Sequence, residues 1–364
     1  MISSWLDFTQ ICKPFHLQFC GSMIYLFAGM DRDNTEVLRR NTSGETMILV
    51  LGTAEDQHAA AIYNKIIARG NCVSYFDPRL YPRDMTVTYD GALPMTGTVR
   101  FRDGQSAIDL STVNSVYCRQ WDDLLASVSA AGAVPDAVEI RETEASLGCL
   151  FRGLECYWVN PIESLNNSRY RIHQLQMIRT QGIRVPEIIV SNDFRRVQAF
   201  FSLTNEELLY RPSGWHSSSW NVGQIDDIGR HMADMPVTPV EYQENISGDE
   251  VRAYVIGDSV FAGVIDSMEP EFSSHLQSDH VRPIELPQEA KRICRRAAAT
   301  LNLRFCSIDM RITAAGDYAI IDVDANPMFL HFEQTTRLPV SDRLVELLIA
   351  ADVDAFDSRR IASA

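Results

Sequence analysis

No stretch of this chain approaches the roughly 20 consecutive apolar residues that a helix needs to cross a bilayer. The apolar patch Met23–Ala28, with Lys13 and His16 before it, is short and has no clean cleavage pattern, so it reads poorly as a signal peptide. A cationic block is missing as well. Lys and Arg number 33 against 48 Asp and Glu, and a formal net charge of -15 excludes a non-specific grip on nucleic acid. Eight cysteines, at 12, 20, 72, 118, 149, 156, 294 and 306, show neither C-x-x-C nor Cys/His zinc spacing. Most sit in apolar runs, which implies reduced, buried thiols and a cytoplasmic protein. Repeats and low-complexity segments are absent. The turn after Met47–Leu51 holds Gly52 alone, with no G-x-G-x-x-G, which removes the fingerprint of a dinucleotide oxidoreductase built on residues 47–76.

What is there is ordinary globular material. The 364 residues are 46% hydrophobic and 22% charged, enough for two or three domains with substantial cores. Residues 1–45 read as a poorly ordered extension, closed by the polar run Asp31 to Glu45. From Met47 the pattern is strand, amphipathic helix (about Asp56 to Arg69, stopped by Gly70) and strand (Cys72 to Phe76), an α/β opening. Residues 85–120 read as short strands turning at Asp90-Gly91 and Asp103-Gly104. A helix is expected from roughly Ala137 to Tyr157 and another from Arg169 to Gln181. Beyond these come strand Val185–Val190, helix 194–201, strand Glu207–Arg211 and a polar loop at 212–219. Strand Val240–Asn245 is next, then an antiparallel pair turning at Gly257-Asp258. Helices Pro287–Leu301 and Asp342–Ala350 flank a last hairpin.

That hairpin carries the strongest chemical signal. Asp309 lies on its first strand, Ala315-Gly316-Asp317 make the turn, and Asp322 and Asp324 stand two apart on the second strand, so they leave from one face. Paired in register, the three carboxylates line a half-buried sheet face, where unpaired charge is costly. Oxygen-only donors suit Mg²⁺, of the kind that carries nucleotide phosphate. A solvated acidic strand edge is the competing reading, opposed by the apolar Ala319-Ile320-Ile321 and Val323.

The order of motifs resembles the ATP-grasp superfamily over about residues 47–350. The stretches that carry it are Asn160-Pro161, Arg171–Leu175, Gly182–Pro186, Leu209–Pro212, Tyr242–Ile246, Glu250-Val-Arg252, Val260–Ala262 and Asp309–Pro327. The branch most similar contains the ribosomal-protein glutamate ligases and the microviridin-type (graspetide) macrocyclases. The resemblance implies an α/β (α+β) ATP-grasp architecture. A pre-ATP-grasp domain would span 47–160, a central lobe 161–240, a C-terminal lobe with the metal site 241–350, and a tail 351–364.

The same resemblance implies the chemistry. ATP phosphorylates a carboxylate, and an amine or hydroxyl captures the acyl phosphate, which requires metal, cations and exclusion of water. It assigns Asp309, Asp322 and Asp324 to Mg²⁺, although the last two positions are commonly Glu and Asn in relatives. Arg171 and Arg211 stand where relatives place phosphate-binding lysines. Gln243, Glu244, Asn245 and Ile246 match the adenine hinge, and Glu250 the ribose acid. Arg252 matches the transition-state arginine, and Arg282 a second arginine on a loop over the acyl site. Asn326 is read as a turn residue before Pro327. The loop 212–219 lacks the usual glycines and has Trp215 inside it and Trp220 at its end. Expected partners are ATP, Mg²⁺ and a peptide or small carboxylate, with no nucleic acid and no membrane; a homodimer is compatible with the relatives. The two Arg-for-Lys replacements motivate an alternative, a catalytically reduced nucleotide-binding module.

Overall fold

The computed structural model of the protein describes residues 46–53, 55–92, 95–102, 107–119, 121, 137–204, 208–211, 220–222, 239–265 and 281–362. The extension 1–45, the turn Asp103-Gly104, the loop 212–219 and His280 lie outside the described residues.

The N-terminal unit begins with β1 (Met47–Leu51), α1 (Gln57–Ala68) and β2 (Val73–Phe76). Asp56 caps α1 by accepting from the backbone N–H of His58 at 2.8 Å and of Ala59 at 3.0 Å. Then come β3 (Met85–Tyr89), β4 (Gly97–Phe101), β5 (Ala107–Asp109), β6 (Val113–Cys118), α2 (Ala137–Arg152) and β7 (Tyr157–Val159). β2, β1, β6 and β7 form a parallel sheet in that order, and β3 to β5 a separate antiparallel one. β1 is apolar, and both β1 and β6 are buried along their length, as parallel strands covered on both faces must be, with Asn114 and Ser115 the buried polar residues of β6. The helix expected to run to Tyr157 stops at Arg152. Tyr157–Val159 instead pairs with Ser115–Tyr117, a long-range contact that local periodicity does not report.

The central unit holds α3 (Ile162–Asn167), α4 (Arg171–Thr180), β8 (Ile188–Ser191), α5 (Phe194–Leu203), β9 (Leu208–Arg211), β10 (Trp220–Val222) and β11 (Val240–Glu244). The sheet order is β10-β9-β11-β8. The hinge strand β11 therefore belongs to the central sheet, so the boundary expected at 240/241 falls inside this unit.

The last unit is one antiparallel sheet, β14-β13-β12-β15-β16. Its strands are β12 (Asp249–Ile256), β13 (Ser259–Ile265), β14 (Val281–Ile284), β15 (Phe305–Ile312) and β16 (Tyr318–Asp324). α6 (Gln288–Thr300) covers one face, burying Ala290, Cys294, Ala297 and Ala298 among the side chains of Val251, Ala253, Ile308 and Met310. Gly248 leads from the hinge into β12 at φ +153°, where a Cβ would lie 2.3 Å from the Ile312 carbonyl oxygen.

α7 (Leu330–Thr336) and α8 (Val340–Ala362) complete the chain. α8 begins two residues before the expected Asp342 and continues through the expected tail to Ala362. Its Val340, Leu344, Val345 and Leu348 pack with Ile48, Val50 and Ile62 of the first unit and with Tyr254 and Ile256 of β12, so this helix joins the two. Among the described residues no helix is long and apolar enough to cross a membrane.

Candidate active site

Cross-strand register builds the site. Arg252 of β12 stands opposite Asp309 of β15, which stands opposite Asp322 of β16. Tyr254, Ser307 and Asp324 form the next row on that face. Side chains alternate along β12, so Val251, Ala253 and Val255 point to the buried side while Glu250, Arg252 and Tyr254 share the polar one. A register shift between Asp309 and Met310 sets the acids of β16 against Asp309 and Ser307.

Arg252 grips Asp309 with both arms, Nε to Oδ1 at 2.7 Å and Nη2 to Oδ2 at 2.9 Å. The Asp309 charge is the main reason the Arg252 guanidinium is held even more firmly protonated than usual. Asp322 accepts from Arg171 Nε at 3.0 Å. Asp324 accepts from the Asn326 N–H at 2.8 Å. Its carboxyl is raised above the ordinary range, chiefly because nearby protein displaces its hydration although the residue keeps an exposed surface. Asp322 and Asp309 raise it further, while the Asn326 amide and the Arg119 charge oppose them. The sequence reading expected the three aspartates on one sheet face with a cation between them. The structure lines them along one face, each with its own partner, and among the described residues no set of three or more His, Cys, Asp or Glu side chains is gathered as a metal cage. The donor chemistry nevertheless fits a hard cation: oxygen donors only, two of them opposed across a strand pair, with like charge accumulated around Asp324.

The hinge residues divide by role. Gln243 is buried and accepts from Arg171 Nη2 at 2.6 Å. Glu244 accepts from the Glu187 N–H at 3.1 Å, and its own N–H donates to the Glu187 carbonyl at 2.9 Å. Asn245 follows the strand, and Ile246 packs with Ala319 and Ile321 of the acidic hairpin. Glu250 pairs with Arg311 at 3.0 Å. The backbone of Arg211 stands opposite Glu241. Arg282 is not on a loop. It lies in the edge strand β14 opposite Val264, in the row of Val251 and Met310, so the register sets it on the other face from Arg252.

Four side chains absent from the sequence reading of the site hold the segment after the hairpin. Asn160 donates to the Ala325 carbonyl at 2.7 Å. Arg119, 1% exposed, donates through Nη1 to Asn326 Oδ1 at 2.5 Å, to the Asn326 carbonyl at 2.7 Å and to the Pro327 carbonyl at 3.1 Å. Its Nε bonds Asp56 at 3.0 Å. Tyr254 donates to the Met328 carbonyl at 2.5 Å, and His58 Nδ1 accepts from the Phe329 N–H at 3.3 Å. Asn326 thus sits in the bend after β16, its side chain held by Arg119. The available signal for Arg119 was an arginine ending an apolar strand, whose burial only a partner in another element could explain.

Residues 232–348 match the RimK-like ATP-grasp domain family. A probable alpha-L-glutamate ligase of Trichodesmium erythraeum is 24% identical over 210 residues, 54% of this chain and 69% of that protein. The structure of the ATP-grasp ligase PsnB with minimal precursor, Mg and ADP aligns at TM-score 0.68 and 25% identity, over 84% of this chain and 98% of PsnB. A Chryseobacterium gregarium RiPP-associated ATP-grasp ligase in complex with ADP and a leader and core peptide aligns at TM-score 0.71 and 18% identity, over 84% and 97%, a likeness of fold alone. The ATP-grasp fold implied by the sequence motifs is the fold of this chain.

Proposed function

We propose that this chain, an ATP-grasp enzyme, is an ATP- and Mg²⁺-dependent carboxylate ligase that modifies or macrocyclises a peptide. The observation that carries the reading is the row Arg252–Asp309–Asp322 across three strands, tied through Arg171 to Gln243 of the hinge strand β11. In this reading Asp309, Asp322 and Asp324 hold the metal, which when bound neutralises phosphate charge. The hinge Gln243–Ile246 holds adenine, Glu250 the ribose, and Arg211 the phosphates. Arg252, oriented by Asp309, stabilises negative charge as the γ-phosphoryl group leaves ADP for a carboxylate oxygen. It does so again when an amine or hydroxyl attacks the acyl carbon and inorganic phosphate departs. A preorganised guanidinium suits this role because it needs no rearrangement at the moment of transfer.

A peptide substrate is supported by the ligase PsnB, solved with minimal precursor, and a small carboxylate by the glutamate-ligase relatives. Buried free thiols at Cys118, Cys294 and Cys306 support a reducing, cytoplasmic setting. The homodimer is carried forward from the sequence reading, to be read by light scattering.

The test is incubation with ATP, Mg²⁺ and candidate precursor peptides, followed by intact-mass measurement. Loss of water from the peptide with matching ADP release is expected. The D322N/D324N double variant should abolish both while keeping the wild-type circular dichroism spectrum. Unchanged turnover in that variant would refute the metal assignment, and nucleotide binding with no ADP release from any substrate would favour the reduced-module reading.

A further inference from the structure

We propose that Arg171 is a positioning residue that locks the hinge strand to the acidic hairpin, and not a ligand of nucleotide phosphate. A guanidinium has five N–H donors in a fixed fork. Four contacts engage those of Arg171: Nε to Asp322 Oδ1 at 3.0 Å, Nη1 to Glu241, and Nη2 to both Gln243 Oε1 at 2.6 Å and the Ile321 carbonyl at 2.7 Å. That leaves one N–H, whereas a phosphate clamp presents two parallel ones. Its two carboxylate partners more than neutralise its charge locally, and the side chains of Arg171 and Glu241 are each 13% exposed.

The acceptors come from two different sheets. Glu241 and Gln243 are alternate residues of β11, which share a face, while Ile321 and Asp322 are consecutive in β16. Arg171 sits at the first turn of α4, where no side chain caps the helix, and its fork reaches both strands. The seam continues beside it: Ile246 packs on Ala319 and Ile321, and the Ile320 N–H donates to the Arg184 carbonyl at 2.9 Å. A lysine, a single point charge on a flexible stem, could not span this set. Glu241 is its telling partner, because an acid placed toward a phosphate site would oppose nucleotide.

The proposal rests on reading the cleft between these sheets as the nucleotide site, and the test separates the two. The full chain carrying Arg171→Lys, Arg171→Met, Glu241→Gln or Arg171→Met with Glu241→Gln is examined without Mg²⁺. Two quantities are measured: the urea midpoint without nucleotide, and the affinities for ADP and for adenosine by displacement of a fluorescent ATP analogue. Each single variant, Lys included, should lower the midpoint, and the double variant should lose less than the sum. Well below the midpoint, adenosine and ADP affinity should fall by the same factor, on the order of tenfold for a misplaced hinge. Selective loss of ADP affinity with adenosine spared, an unchanged midpoint, or full function with Arg171→Lys would overturn the proposal. If the wild type binds neither nucleotide even after Mg²⁺ is restored, the functional reading fails while non-additivity of the midpoints still decides the lock.

Discussion

Replacing Arg119 with Met is expected to destabilise the protein more than any other single change in the described site. Asp56, with its side chain 8% exposed, would lose the cation 3.0 Å away. Breaking one partner out of a buried ion pair costs about 3–5 kcal/mol, because the remaining charge stays desolvated. Asn326 Oδ1 and the carbonyls of Asn326 and Pro327 would also lose their donor. An unmet buried acceptor costs about 1–3 kcal/mol, although those nearest the cleft can recruit water. Together these give a loss of at least about 4 kcal/mol, a large fraction of the roughly 5–15 kcal/mol that holds a typical domain. The assay is urea unfolding, read as midpoint and slope. Asp56→Asn keeps an oxygen to cap α1, so it isolates the charge from the cap. Because the two residues are one pair, the double variant should recover about 2 kcal/mol relative to the sum of the singles. A loss below about 1 kcal/mol for Arg119→Met, or strict additivity, would refute the argument that a buried ion pair within the first unit holds Arg119 against the turn after the acids.

Arg252→Ala should reduce turnover by about 10²–10³ while changing ATP affinity much less, since its preorganised charge acts on the transferring group; the reverse split, from steady-state kinetics beside calorimetry, would overturn the assignment. His58 is held down to about 4, first by burial and then by the Arg119 charge, with Asp56 opposing. The unfolded chain therefore takes up a proton that folded His58 resists. Its stabilising contribution is complete above the ordinary value of about 6.5 and is lost as pH falls toward about 4. His58→Asn should flatten the fall in unfolding free energy across that window, and an unchanged slope would show that other groups carry it.

Much of this site could be read along the chain because its signals are local. The alternation around Asp322 and Asp324, the Ala315–Asp317 turn and the Gly257-Asp258 turn each specify a strand pair from a few residues. Partnership between distant residues could not be read that way. The strand Tyr157–Val159 exists because Ser115–Tyr117 is available to pair with it, and nothing within its own three residues says so. Arg282 was expected on a loop because nothing in Val281–Ile284 itself announces that it pairs with Ala262–Ile265. Glu241 and Arg119 were given no role in the site because a lone acid in a hinge strand, or a lone arginine ending an apolar strand, has no meaning until its partner is located. The C-terminal helix reads short on periodicity because its later turns depend on contacts such as Asn114 Nδ2 to the Asp352 carbonyl, 3.2 Å apart.

Arginine usage across the chain changes how the replaced lysines are weighed. Lys13, Lys65 and Lys291 are the only lysines in the sequence, so nearly every cation is an arginine. An arginine where relatives carry lysine is thus what this composition yields at any tolerant position, and taken alone it says little about lost activity. The partners are what distinguish Arg171. A fork that is merely tolerated in a phosphate site would stay directed at the cleft, with donors to spare. Arg171 is instead surrounded by Glu241, Gln243, Asp322 and the Ile321 carbonyl, acceptors that a lysine could not satisfy together. The geometry thus moves the argument at this position from loss of nucleotide binding to a different way of holding the two sheets that flank it, and it leaves the case for an active ligase resting on Arg252 and the acids beside it.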